Sequence, residues 1–336
     1  MTAISFVFGR CALFSCVAAS ILTACGGSQP AIRAPGAMPQ TSTIAARAER
    51  GKSWMLPEAK GDDLLYASES IRNKVFILTY PRGKLVGTLT GFNMPFGDCV
   101  DSVGDVWIIN QHPPEVIEYA HGGTTPIATL TTDAGPYACA IDLTTGNLAV
   151  TYDRGEISVF LNAQGPPTNY MASNFNFLQY GGYDPKGDFF AFGDYGTEFS
   201  GEGELAELPK GSKSIIPVLL NQHIYADEVQ WDGKYLAIGG NGYPDQPVPV
   251  YQVNVSGSQA TVVNTVELED SHETRVRQQF WIQGNRIIQG FDHVRDLGIW
   301  RYPQGGSPAS TIKHFAGHRI WGVVVSVAPS QTRTRK

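Results

Sequence analysis

The chain has 336 residues, 37 of them glycine, and only 17% of its side chains are charged. This turn-rich composition argues against a helical bundle or an unfolded chain. With a formal net charge of −6 there is no domain-wide basic field for nucleic acid, and Arg333, Arg335 and Lys336 read as a solvated end.

Residues 1–24 read as a targeting segment. "MTAISFVFGR" carries one positive side chain, Arg10, and the apolar run "CALFSCVAASILTA" follows, too short to span a membrane as a mature helix. It ends in "LTAC", Leu22 to Cys25. That ending resembles the lipobox of bacterial lipoproteins, which implies cleavage before Cys25 and a lipid on its sulfur. The alternative is an ordinary secretory signal cut near Ala24. Gly26 follows Cys25 where inner-membrane retention would use Asp, which resembles outer-membrane sorting. The expected location is therefore the bacterial cell envelope, on the periplasmic or surface face, with the membrane reached through Cys25.

Residues 25–52 lack strand periodicity and are rich in Pro, Gly, Ala, Ser and Thr. They read as a flexible tether with a reach of about 30 Å.

From residue 53 to 328 the chain repeats. The strands "DLLYAS", "DVWIIN", "NLAVTY", "DFFAFG", "KYLAIG" and "NRIIQG" begin at Asp63, Asp105, Asn147, Asp188, Lys234 and Asn285, 41 to 51 residues apart. Six units of that length match six propeller blades of four short antiparallel strands. Before each turn such as "SVGD", "TTGN" or "PKGD" stands an innermost strand: "GDCVDS", "YACAID", "LQYGGYD", "ADEVQWD" or "QQFWIQG". Only five such strands lie between units, so the sixth is expected at about residues 321–328, "WGVVVSVA", closing the ring inside the first blade. The rival for that place is "SWMLPEA", which holds Pro57. Residues 329–336 read as a disordered tail.

The order Pro-x-Gly-x-x-x-Asp, turn, aliphatic–aromatic–aliphatic strand, then Val/Ile-x-x-Tyr, best seen in "PFGDCVDSVGDVWIIN", resembles NHL-type and gluconolactonase-like propellers. The chain also resembles exported bacterial propeller proteins without assigned function. The resemblance implies an all-β propeller over about residues 53–328 and leaves function open. Gluconolactonase-like enzymes hold a metal with an early Glu, Asn residues at the channel entrance and a late Asp. Here "MPFGD" has no Asn after Pro95, and Glu58 fits the early Glu only loosely.

Cys11 and Cys16 leave with the signal and Cys25 carries the lipid, so Cys99 and Cys139 remain in an oxidising compartment. They lie one position out of step on adjacent innermost strands. Opposite parity either turns them toward each other across the blade interface or turns both away. The first arrangement is a disulfide; the alternative is two buried thiols packing as hydrophobes.

The loops that enter innermost strands and leave second strands make one mouth of a propeller channel. His112, Asp98, His223, Asp227, His272, Glu273, Arg275, His293 and Arg319 are expected there as candidate binding residues. Polar residues collect on loops in any case. Trp107, Trp231, Trp281, Trp300 and Trp321 fall in strands and are expected to pack between blades. No G-x-S-x-G elbow, calcium loop or dinucleotide fingerprint is present. The leading expectation is a binding or scaffold module for an envelope protein or glycan, with no catalytic residue and no cofactor assigned. The alternative is a lactonase-like hydrolase or a lyase with a divalent metal at the channel mouth.

Overall fold

The computed structural model describes residues 51–172, 174–195, 203–224, 226–240, 246–269, 278–291, 296–313 and 319–329. Strands β1 (Trp54–Met55), β2 (Leu64–Glu69), β3 (Lys74–Thr79) and β4 (Leu85–Leu89) open the chain. A second run is β5 (Pro95–Val100), β6 (Val106–Asn110), β7 (Glu115–Tyr119) and β8 (Pro126–Thr131). A third is β9 (Pro136–Ile141), β10 (Leu148–Tyr152), β11 (Glu156–Phe160) and β12 (Thr168–Met171). Then come β13 (Phe175–Tyr183), β14 (Phe189–Tyr195), β15 (Gly203–Leu208) and β16 (Ile216–Leu220). They are followed by β17 (Ala226–Trp231), β18 (Leu236–Gly240), β19 (Val248–Ser256) and β20 (Gln259–Leu268). The last are β21 (Phe280–Gln283), β22 (Arg286–Gly290), β23 (Leu297–Arg301), β24 (Ser310–Ile312) and β25 (Ile320–Ser326).

The fold is all-β, a propeller-like ring of sheets. Each run is an antiparallel meander whose turns use glycines at positive φ, such as Gly104, Gly146 and Gly187. The sheets depart from six separate four-stranded blades in two places. The first is five-stranded, in the order β1-β4-β3-β2-β25. The fourth and fifth runs form one eight-stranded sheet, because β16 and β20 pair in parallel at Leu219–Gln259 and Leu220–Ala260. Periodicity along the chain carries no information about such a contact between outer edges.

The C-terminal strand closes the ring. β25 pairs antiparallel with β2, from Leu64–Ser326 to Ser68–Gly322. The rival segment supplies β1, which pairs on the opposite edge with β4 at Trp54–Thr88 and Met55–Gly87. Around the axis β25, β5, β9, β13, β17 and β21 touch in succession, and β21 returns to β25.

Buried apolar clusters fill the spaces between successive runs. In β2, Leu64 and Tyr66 pack toward the second run, while Leu65 and Ala67 pack toward β22, β23 and β25. One strand thus splits between two cores with period two, and both of its faces are apolar. That explains why this second strand shows no apolar–polar alternation. No helix among the described residues is long and apolar enough to cross a membrane.

Candidate functional site

The axis differs at its two ends. At the start of the inner strands, aromatic rings fill it. Phe96 stacks on Trp321 at 4.6 Å and meets Tyr137 edge-on at 5.1 Å, and Tyr137 meets Tyr180 edge-on at 5.1 Å. These rings come from β25, β5, β9 and β13. The Tyr180 hydroxyl donates to the Trp321 carbonyl at 2.8 Å, joining strands three places apart in the ring. Arg319 caps this layer, its guanidinium 5.1 Å from the Trp321 ring centre.

Gln279, just ahead of β21, makes the next layer. Its Nε2 donates to the Asp98 carbonyl at 2.7 Å, and its Oε1 accepts from the amides of Asp98 and Val323 at 3.0 and 3.1 Å. One buried amide therefore ties β5 and β25 to the last run. Gln230 does the same on a smaller scale, its Oε1 accepting from the Ile282 amide at 2.8 Å.

Beyond Gln279, at the other end of the inner strands, a cavity of about 890 Å³ opens. Its walls are the last residues of β5, β9, β13, β17 and β21 with the turns that follow, and the residues after β25. Trp231, Trp281, Tyr183 and Ile141 give it apolar surface, and Gln230, Gln279, Gln283 and Thr144 give it amides and a hydroxyl. The Trp281 indole donates to Gln283 Oε1 at 3.1 Å. Gly181 and Gly182 admit the close approach of β13 to its neighbours. A Cβ on Gly181 would lie 2.4 Å from the Phe190 carbonyl, and one on Gly182 2.9 Å from that of Val229. At the rim Val103, Leu143 and Val327 are exposed.

Cys99 and Cys139 are joined by a disulfide with their Cα atoms 5.6 Å apart, and the bridge forms part of the cavity wall. Asp98, the residue before Cys99, points the opposite way, toward β2 and β25. Its carboxyl is fully buried and accepts from Ser68 Oγ at 2.6 Å. Burial pushes its pKa up from 3.8 to about 8, against the lowering effect of the Ser68 hydrogen bond. Gly322 makes room for it, since a Cβ there would lie 2.8 Å from Asp98 Oδ2. The expectation that Asp98 faces the channel mouth is corrected: it sits between sheets because neighbouring residues of an inner strand face alternate blades.

The other expected mouth residues divide. His112 and His223 are exposed and Arg319 is half-buried on Trp321. The side chain of Asp227 and the whole of His272, Glu273, Arg275 and His293 lie outside the described residues, as does Cys25. Four described side chains from this set therefore occupy separate settings. The cavity is instead built from the turns that follow the inner strands. Asp101, in the turn that follows β5, is among the residues that line it. Trp231 and Trp281, expected as packing between blades, border it too. Trp107 and Trp300 are buried.

Among the described residues one group of acids has metal-ligand spacing: Asp101, Asp105 and Glu118, with oxygens within 4.8 Å of one another. Burial, then Asp105 and Asp101, raises Glu118 to about 7. Two of these acids already serve the turns. Asp101 Oδ1 accepts from the Val103 and Asp105 amides, and Asp105 Oδ1 from the His121 amide. The arrangement recurs in the fourth run, where Asp184 Oδ1 accepts from Lys186 and Asp188, and the nearby Glu207 is also raised by burial and these acids. Recurrence in a second turn marks it as hairpin architecture.

No family model matches this chain, and no curated protein matches it. Solved structures do. A chain from the crystal structure of a nidogen/laminin complex aligns with a TM-score of 0.60 and 13% identity, over 79% of this chain and 98% of that one. A protein of unknown function from Bacteroides caccae gives 0.58 and 13%, over 79% and 99%. Kuenenia stuttgartiensis hydrazine synthase gives 0.52 and 14%, over 74% and 75%. At these identities the likeness establishes a propeller-like fold and leaves the chemistry of the cavity to its own residues.

Proposed function

We propose that the protein is an exported binding module of the bacterial envelope: a six-bladed propeller tethered by a lipid on Cys25, with its ligand site in the axial cavity. The six-blade reading treats the eight-stranded sheet as two blades joined at their outer edges, in keeping with the six inner strands that encircle the axis. The export and anchor readings rest on the segment ending in "LTAC" and the tether that follows it.

The observation that carries the binding reading is the cavity of about 890 Å³, within the range of pre-formed ligand sites and lined by both apolar and amide groups. The test is a thermal-shift screen of glycans, metabolites and envelope extracts against the full chain. A ligand present at a hundred times its Kd adds about 2.7 kcal/mol of stability. A specific shift lost in Trp231→Ala or Trp281→Ala supports the reading, and a screen with none counts against it. Replacement of Cys25 by Ala is expected to release the protein from the membrane fraction. Stoichiometric metal together with lactone hydrolysis would replace the binding reading with the hydrolase.

A further inference from the structure

The two sides of the cavity differ in chemistry. On one side β25, β5 and β9 stand in succession, and the residues just beyond them put Val327, Val103 and Leu143 at the rim, 46%, 62% and 62% exposed. Large apolar side chains left in water after three neighbouring strands are the kind of rim that marks a ligand groove. On the other side β17 and β21 supply Trp231 and Trp281. Trp231 packs against the core between the fourth and fifth runs, and Trp281 against the cores on both sides of β2. Both are half-buried and leave surface to the cavity. Beside these tryptophans stand two glutamines whose carbonyl ends are used inside the wall. Gln230 Oε1 accepts from the Ile282 amide and Gln283 Oε1 from the Trp281 indole. These bonds fix which end of each amide is which, because an N–H can only donate. The two –NH2 ends remain as donors with no partner among the described residues, and neither is sealed from the cavity.

The carboxyls of the wall make no comparable offer. Asp101 and Asp184 accept from amides of their own turns, and Asp142 from the Thr144 and Thr145 hydroxyls. Glu228 is buried and engaged within the fold. A saccharide would bring hydroxyls on every side to a rim that is aliphatic along the arc from β25 to β9. A charged ligand would give up its hydration to the same apolar surface. A hydrocarbon would dehydrate the two –NH2 groups without giving them a partner. We propose that the cavity takes an uncharged, mainly apolar molecule with a carbonyl acceptor, its flat body between the tryptophans and the aliphatic rim and its oxygen accepting from the Gln230 and Gln283 donors. This names the ligand class for the binding module and rests on that reading.

The experiment is calorimetric titration of the full chain with flat probes of one shape: 2-acetylnaphthalene, 2-isopropenylnaphthalene, 2-naphthoate and 2-naphthamidine. The ketone is expected to bind at least about fivefold tighter than the alkene, and both ions weaker than the ketone. These comparisons need no variant. Gln230→Glu and Gln283→Glu keep the oxygens that hold the Ile282 amide and the Trp281 indole while removing the –NH2 donors. Combined, they should erase the ketone's advantage over the alkene. Alkene binding as tight as that of the ketone, tighter binding of either ion, or a ketone advantage unchanged in the double variant overturns the proposal. If none of the probes binds while the broad screen yields another cavity ligand, such as a glycan, the carbonyl inference falls and the binding module stands. If neither yields a ligand, both fall. Ketone binding that appears only when the chain is ended at Pro329 overturns an external ligand and gives the cavity to the residues that follow.

Discussion

The two ends of the axis are built from the same strands and reach opposite outcomes. At the upstream end each of four successive inner strands contributes a large ring, and Tyr180 bonds across to Trp321. At the downstream end β5 carries Cys99, β9 carries Cys139 and β13 carries Gly181 and Gly182, and the cavity opens. Side-chain volume one to three residues further along these strands separates a filled core from a pocket. The fold itself is indifferent to which end is filled.

Four perturbations separate the ends, in falling order of effect. Ending the chain at Arg319 removes β25, which supplies Trp321 to one end and Val325 to the other. It also leaves the edge of β2 unpaired, so loss of cooperative unfolding or aggregation is expected in a thermal melt. A truncated chain that melts like the whole would refute closure by β25.

Phe96→Ala is confined to the upstream end. Loss of a buried ring stacked on Trp321 is expected to cost about 3–5 kcal/mol in denaturant unfolding, with cavity binding retained. Loss of binding with unchanged stability would reverse the assignment of the two ends.

The disulfide lies at the boundary. It spans 40 residues of sequence, and replacing both cysteines by serine is expected to cost about 2–4 kcal/mol. Non-reducing peptide mapping should recover Cys99 and Cys139 in one linked fragment.

Asp98 gives the mildest change per step. Its folded pKa of about 8 lies above the ordinary 3.8. Between those values the unfolded chain releases this proton and the folded chain keeps it. Stability from this group is therefore fully present at low pH and declines as pH rises toward 8, with a slope approaching ~1.4 kcal/mol per pH unit. Asp98→Asn should flatten that part of the stability–pH profile, and an unaltered profile would show that Asp98 titrates elsewhere.

Much of the ring was legible in the sequence because each unit must rebuild the same hairpin, and the turn Asp and Gly residues mark it. Counting inner strands was enough to find β25. Parity was enough to set Cys99 and Cys139 on facing or averted sides, and the compartment favoured facing. Three features were not legible. β1 joins an outer edge through two residue pairs, and β16 meets β20 through two more, contacts too brief to leave a pattern. The third is the end at which the cavity opens. The register of β13 shifts between Leu178 and Gly181, so alternation along "LQYGGYD" does not reveal that Tyr180 reaches across the axis. Polar residues on the loops drew attention to the opposite mouth, although loops collect such residues whatever the axis contains.

The first sheet holds both β1 and β25, one at the outer rim and the other at the hub. A pull applied through residues ahead of Ser53 would reach the molecule at β1, where two residue pairs with β4 bear it together with the Thr90 amide bond to Ser53 Oγ and the Leu56 amide bond to the Val86 carbonyl. Those pairs can peel away one at a time while the long β2–β25 pairing stays out of the line of force. Under such a load the short β1–β4 pairing would part ahead of the six pairs that hold β25 to β2.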